Sequence, residues 1–258
     1  MSVVQQVVKD ISWQSVADIQ TICQPLFDTL DLNFFAYTKF DKTKSAVQML
    51  HTHQEWHDYY INKKFVSAVK FLPSGTHLWA DYISTAQQDA KQYFDLANGL
   101  SIIRHYETYT ELYAFAMPSD SKHALSFYFN NLDLLEKFNL YFKDKAQALL
   151  NPSEEKTTIL YGCTKQVAGS LTDENAFLKS IEPTKYYFNI NGKDRHLSKR
   201  EVEIIRYLAN GYSAKAIAEL FEIAVRTVNH HIENIKAKLV CTKSTEILIK
   251  AVELHLIS

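Results

Sequence analysis

Residues 197–239 read LSKREVEIIRYLANGYSAKAIAELFEIAVRTVNHHIENIKAKL, three helices punctuated by two tight turns. Ser198 with Glu201 three residues on forms a capping box that starts the first helix. Val202, Ile205, Leu208 and Ala209 recur at helical spacing, and Asn210-Gly211 supplies a left-handed stop. Ser213 caps a second helix with Ile217, Ala218 and Phe221 turned inward, and Glu222-Ile223-Ala224 makes the turn into the third. There Val225, Val228, Ile232, Ile235 and Leu239 draw one apolar stripe, leaving Arg226, Asn229, His230, Glu233, Asn234 and Ala237 outside it. Two short helices across a small turn, the second polar on its outer side, fit a helix-turn-helix, which lays that second helix in the DNA major groove.

Several matches along this one gapless stretch make the likeness specific. Leu197-Ser198-x-Arg200-Glu201, Gly211-x-Ser213-x-Lys215-x-Ile217-Ala218, Arg226-Thr227-Val228 and His231-Ile232-x-Asn234-Ile235-x-x-Lys238-Leu239 resemble the LuxR-type DNA-binding domain. Ala214 stands where that family often has Asn, Asn229 and Glu233 replace frequent basic residues, and Val240-Cys241 follows where Gly is common. The resemblance implies DNA binding and leaves the target sequence open. Asn229, His230 and Glu233, lying away from the apolar stripe, are expected to read base edges: Asn pairs with adenine, Glu accepts from cytosine N4, His donates to purine N7. Glu233 could instead form a helix ion pair with Lys236. Lys215, Arg226, Thr227, Lys236 and Lys243 are expected to hold phosphates, which positions the protein without specifying sequence. One small helix-turn-helix covers too little DNA for tight binding, so a homodimer on a palindromic operator is expected. RNA polymerase is a conceivable further partner, but contact with it has no sequence signature.

Outside this stretch the composition is lopsided. From Asn191 onward eleven Lys and Arg face eight Asp and Glu, a net +3, while the remainder of the chain carries −4, so the basic end suits DNA. Apolar residues make up 47% and charged residues 22%, which excludes a disordered chain. Every Trp, and all Phe and Tyr but Tyr207, Tyr212 and Phe221, precede residue 190, so the front has a bulky aromatic interior suited to a small-molecule pocket. The three cysteines, Cys23, Cys163 and Cys241, form no CxxC; no signal peptide precedes Trp13, and no apolar run approaches the ~20 residues of a membrane span. A cytoplasmic protein with reduced thiols and no membrane partner is expected.

In chain order, residues 3–30 read as helix interrupted at Pro25, Asn33 to Phe40 and Ala46 to His51 as a hairpin, and His53 to Val69 as helix. Thr85 to Ala97 is helical, ended by Asn98-Gly99. Leu100 to Tyr106, Tyr109 to Met117 and Ala124 to Phe129 read as three antiparallel strands, and Asn131 to Leu150 and Glu154 to Leu171 as helices. Tyr186 to His196 folds as a hairpin about Asn191-Gly192, and Ser244 to Leu256 as a last helix. The fold class is α+β: an N-terminal α-β-α sandwich on an antiparallel sheet, then an all-α four-helix helix-turn-helix domain. Its divisions are 1–171 for ligand sensing and dimerisation, 172–190 as linker and 191–258 for DNA binding.

This order, ahead of such a DNA-binding domain, resembles the quorum-sensing LuxR-type regulators, whose front domain binds acyl-homoserine lactones. Trp56-x-x-x-Tyr60 and Trp79 carry the likeness. By that resemblance Trp56 would donate its indole N–H to a ligand carbonyl, and Tyr60 and Trp79 would wall the pocket. Where the family has an Asp-Pro pair that accepts the ligand's amide, this chain reads Ser67-Ala68-Val69-Lys70. The lost charge-assisted hydrogen bond, worth ~1.5–3 kcal/mol, argues against an acyl-homoserine lactone and for a more apolar or aromatic ligand, or a ligand-independent regulator.

Other chemistries find little support. His51, His53 and His57 lack a thiolate partner and read as polar surface residues, and no metal or cofactor is expected. Glu107 and Glu111 read as a solvated hairpin tip, and Cys163 as buried; there is no nucleophile elbow, P-loop or dinucleotide fingerprint, so no enzyme activity is expected. A phosphorylated receiver would need a parallel alternating fold, which the antiparallel pattern opposes. A protein using the helix-turn-helix for protein contact remains the alternative of a different class.

Overall fold

Five antiparallel strands pair in the order β2-β1-β5-β4-β3: β1 Phe34–Asp41, β2 Ala46–His51, β3 Gly75–Leu78, β4 Ala97–His105 and β5 Tyr109–Met117. The computed structural model describes residues 16–44, 46–82, 84–151 and 174–257. The expected helices over 3–15 and Glu154 to Leu171, and Cys163, lie outside them. Strand alternation sends Phe34, Ala36, Leu112 and Ala114 to one side of the sheet and Phe35, Tyr37, Tyr113 and Phe115 to the other. All are buried, so both faces are covered, as a layered α+β fold requires.

Helix α1 (Val16–Thr29) runs through Pro25 rather than stopping there, at the expense of one backbone bond. Helix α2 (Gln54–Asn62) is shorter than the periodicity predicts: Lys64 takes a left-handed φ of 56° and the chain resumes as a 3-10 turn at Ala68–Lys70. Helix α3 (Thr85–Phe94) begins with a Ser84/Gln87 capping box and ends at left-handed Asp95, so Asn98-Gly99 falls inside β4 at a bulge. The expected third strand, Ala124 to Phe129, is instead the start of helix α4 (Ala124–Lys145), which bends at Asn131. A six-residue apolar run does not by itself distinguish strand from helix. Here Leu125 and Phe129, four apart, share the exposed side of the helix, Phe129 being 87% exposed. The sheet's remaining place is taken by edge strand β3.

Contacts divide the chain into two compact units, 1–135 with 148–180, and 136–147 with 181–258. Within the expected linker the chain forms helix α6 (Glu174–Ser180), after the short helix α5 (Gln147–Leu150), and strand β6 (Lys185–Ile190). Strand β6 pairs with β7 (Lys193–Ser198) about Asn191 and Gly192, both at positive φ as a type I′ turn demands. Helices α7 (Lys199–Ala209), α8 (Ala214–Leu220), α9 (Val225–Leu239) and α10 (Ser244–Glu253) complete this unit. Among the described residues no helix is long and apolar enough to cross a membrane.

Candidate functional site

The second unit is built outward from its caps. Ser198 and Glu201 make the capping box in both directions, Gly211 adopts φ 82° after α7, and Ser213 accepts from the Ala216 N–H to start α8. Glu222, at φ 54°, turns the chain into α9. Val228, Ile232, Ile235 and Leu239 are buried with Val202, Ile205, Ile217 and Ile247 in one core. Val225, expected on the same stripe, is exposed, because it opens α9 where no neighbouring element covers it. Ile247 and Ala251 of α10 are also spent in this core, leaving Ile249 and Val252 outside.

Opposite the buried stripe, Arg226, Asn229, His230 and Glu233 are all exposed. Their spacing of three, four and seven puts them on one row along α9. Thr227 is exposed beside the row, Lys215 is exposed in α8, and Lys243 is exposed just before α10. Lys236 is half-buried and its Nζ lies 2.8 Å from Glu233 Oε1, so these two side chains engage each other. Arg195, which carries no motif, and the motif residue Lys238 hold α9 in place. Arg195 donates to the Ala237 and Lys238 carbonyls at 2.6 and 3.1 Å, and Lys238 Nζ sits 2.7 Å from the Glu201 carboxylate.

In the first unit, one face of the sheet and the elements over it line a pocket open to solvent, whose empty space with the solvent-filled mouth counted is about 740 Å³. Trp56, Tyr60 and Trp79 all line it. Trp56 is packed among Tyr60 at 5.5 Å and Phe94 at 5.4 Å between ring centroids, and among the described residues its indole N–H meets no hydrogen-bond acceptor. Trp79 instead donates to Ser101 Oγ at 3.0 Å, which Tyr82 also engages at 2.8 Å. Burial pushes the Tyr60 hydroxyl up to about 12, opposed by Ser67. Ser67 and Ala68 line the cavity too.

Gly99 is what lets Trp79 lie down: a Cβ there would stand 2.1 Å from Trp79 Cδ2. Gly99→Ala must therefore displace the indole, with an expected cost of about 1–3 kcal/mol. A lower unfolding midpoint and a red-shifted tryptophan emission would register it; an unchanged spectrum would contradict the packing.

Two expectations are corrected here. His51 and His57 are 2% and 3% exposed rather than at the surface, their rings stacked with centroids 4.0 Å apart. Strand β2 delivers the first and helix α2 the second, a meeting that sequence spacing does not announce. Glu111 is buried, not solvated: it accepts from Tyr37 at 3.0 Å and Tyr113 at 3.1 Å, and Arg104 stands opposite it on β4. No group of three or more His, Cys, Asp or Glu among the described residues is placed to hold a metal.

Residues 195–251 match the family of bacterial regulatory proteins described as the luxR family. The helices from Lys199 onward are thus a helix-turn-helix domain, and that domain is of the LuxR type. Response regulator protein VraR of Staphylococcus aureus, and its counterpart in Staphylococcus epidermidis, are 39% identical over 61 residues. That is 24% of this chain, which spans only 29% of those relatives' length. Among solved structures, Escherichia coli SdiA aligns over 97% of this chain and 92% of its own at 17% identity, TM-score 0.35. CepR2 of Burkholderia cenocepacia, an N-acylhomoserine lactone dependent LuxR family factor, aligns over 58% of this chain and 96% of its own, at 14% identity and TM-score 0.37. Likenesses at those scores carry no weight for the ligand.

Proposed function

We propose that this chain is a sequence-specific DNA-binding transcriptional regulator, acting as a homodimer on a palindromic operator, whose first unit senses a small molecule. One observation carries the DNA reading: the row Arg226, Asn229, His230 and Glu233 is solvent-facing on the helix that a LuxR-type domain offers to the groove. Asn229, His230 and Glu233 take the base-reading roles and Lys215, Arg226, Thr227, Lys236 and Lys243 the phosphate roles. The Glu233–Lys236 pair must open, or act as a unit, for either to serve. Exposed Ile249 and Val252, three apart on α10, are candidates for the dimer seam. The sensing reading is supported by the cavity, with Trp56, Tyr60 and Trp79 as its ligand-facing aromatics.

Fluorescence anisotropy of the full chain on duplexes selected from a randomised pool tests this. The expected result is a preference for a two-fold symmetric site over a scrambled duplex, with log affinity falling linearly in log salt and a slope of roughly −0.9 per phosphate contact. Equal binding to scrambled and selected duplexes would overturn it.

A further inference from the structure

The cavity's lining contains no Asp, Glu, Lys or Arg among the described residues. Its most polar buried constituents are His51 and His57, and all four of their ring nitrogens are buried without a hydrogen-bond partner. Buried polar groups left in this state are rare and destabilising. The neighbours do not relieve it. Asp58 Oδ1 is 4.0 Å from His57 Nδ1, beyond hydrogen-bond reach, and the His53 backbone beside the His51 ring opposes its burial only in part. His53 spends its own Nδ1 on the Trp56 backbone N–H at 3.2 Å. Burial first, then the neighbouring His57 and His53, pushes His51 down to about 3, and burial also lowers His57 against the pull of Asp58. Both rings are therefore neutral, each with one donor and one acceptor, and both belong to the cavity wall with their nitrogens still covered. Stacked nearly parallel, at 20° between planes and 4.0 Å between centroids, the two rings cannot turn their nitrogens onto one point, which suits separate hydrogen bonds better than a metal ion.

We propose that the cavity takes an uncharged, mainly apolar molecule bearing a hydroxyl group, and that His51 and His57 are the specificity-determining partners of that hydroxyl. A hydroxyl both donates and accepts, so it complements a neutral imidazole pair, whereas a carboxylate or ammonium would enter a chamber holding no counter-charge. Apolar Val66 and Phe71, exposed where they line the cavity, provide surface for the rest of the molecule. The inference rests on the reading of the first unit as a small-molecule sensor.

The test uses the full chain, the apolar dye N-phenyl-1-naphthylamine as a reporter of cavity occupancy, and decanol and decanoate as competing probes. Wild type should take up the dye and release it to decanol more readily than to decanoate. His57→Phe keeps an aromatic ring for the stack but no nitrogens; it should still take up dye, and its decanol affinity should fall about tenfold relative to its dye affinity. His57→Gln, which restores a donor and an acceptor, should recover most of the loss, and His51→Phe should behave as His57→Phe. Dye uptake with decanol affinity unchanged in both Phe variants overturns the histidine assignment while leaving a ligand cavity standing. Tighter binding of decanoate than decanol overturns the preference for an uncharged group. Failure of wild type to bind dye or either probe overturns the sensor reading and this inference with it.

Discussion

Replacing Glu201 by Ala should destabilise the second unit by about 2–3 kcal/mol, a large loss for a polar side chain. Three connections end on this one carboxylate, which is 3% exposed. It returns the capping box to the Ser198 N–H at 2.7 Å, accepts from the Ser198 hydroxyl at 3.0 Å, and pairs with Lys238. The last contact ties the start of α7 to the final turn of α9, so α9 is anchored through it. Glu201→Gln keeps the reach of the box and gives up the ion pair; since Lys238 is partly exposed and can turn to water, this variant should lose clearly less. Amide hydrogen exchange across residues 199–239 measures the effect selectively, whereas Trp56 and Trp79 report on the other unit.

The same contact has a pH signature. Burial raises the Glu201 carboxyl's pKa, but Lys238 and the Ser198 groups outweigh it and hold the value below that of an ordinary glutamate. A depressed carboxylate contributes its stability above the unfolded-state pKa, ~4.3, and loses it as pH falls through the lowered value. The gap between wild type and Glu201→Ala should therefore be full at neutral pH and narrow in acid. A gap that widened on acidification would mean that the carboxylate is not stabilised as its partners imply.

What the sequence discloses here follows the range of the interactions. Ser198 with Glu201, Ser213, and Asn191-Gly192 act on backbone a few residues away, so the helix starts and the hairpin turn are read correctly from order alone. The α9 stripe is also local in its spacing, and only Val225, at its open end, departs from it. The misreadings arise where distant elements meet. Glu111 looks like a solvated tip until Tyr37, 74 residues away, is brought to its carboxylate. His51 and His57 look like surface polar residues until a strand and a helix close over them. Ala124 to Phe129 carries strand-forming residues yet folds as the first turns of a long helix, while β3 forms the sheet's edge beside β4. Trp56 and Tyr60 were within reach of sequence because four-residue spacing puts them on one helix face, but the supporting Trp79–Ser101–Tyr82 chain joins a 3-10 turn to a distant residue of β4 and has no pattern to find.

On DNA, Asn229→Ala and His230→Ala should each cost about 1–3 kcal/mol of specific affinity, and the double variant should lose most of the preference for its operator while keeping salt-dependent binding to any duplex. Both side chains are exposed on the row opposite the buried stripe, so their removal leaves the core of the unit intact and affinity, not folding, carries the change. Arg226→Ala, on the same row but in the first turn of α9, should behave differently. It should weaken all duplexes to a similar degree and reduce the salt slope by about one, as a phosphate contact does. Glu233 separates two readings of its pair with Lys236. If Glu233 only neutralises the lysine, Glu233→Ala frees that ammonium for phosphate and strengthens binding to every sequence. If it accepts from cytosine, the same change relaxes one position of the operator and leaves scrambled DNA unaffected. Selection from a randomised pool with wild type and each variant, at two salt concentrations, resolves these outcomes. Should Asn229→Ala and His230→Ala both return the wild-type operator at wild-type affinity, the outer side of α9 is not the reading surface.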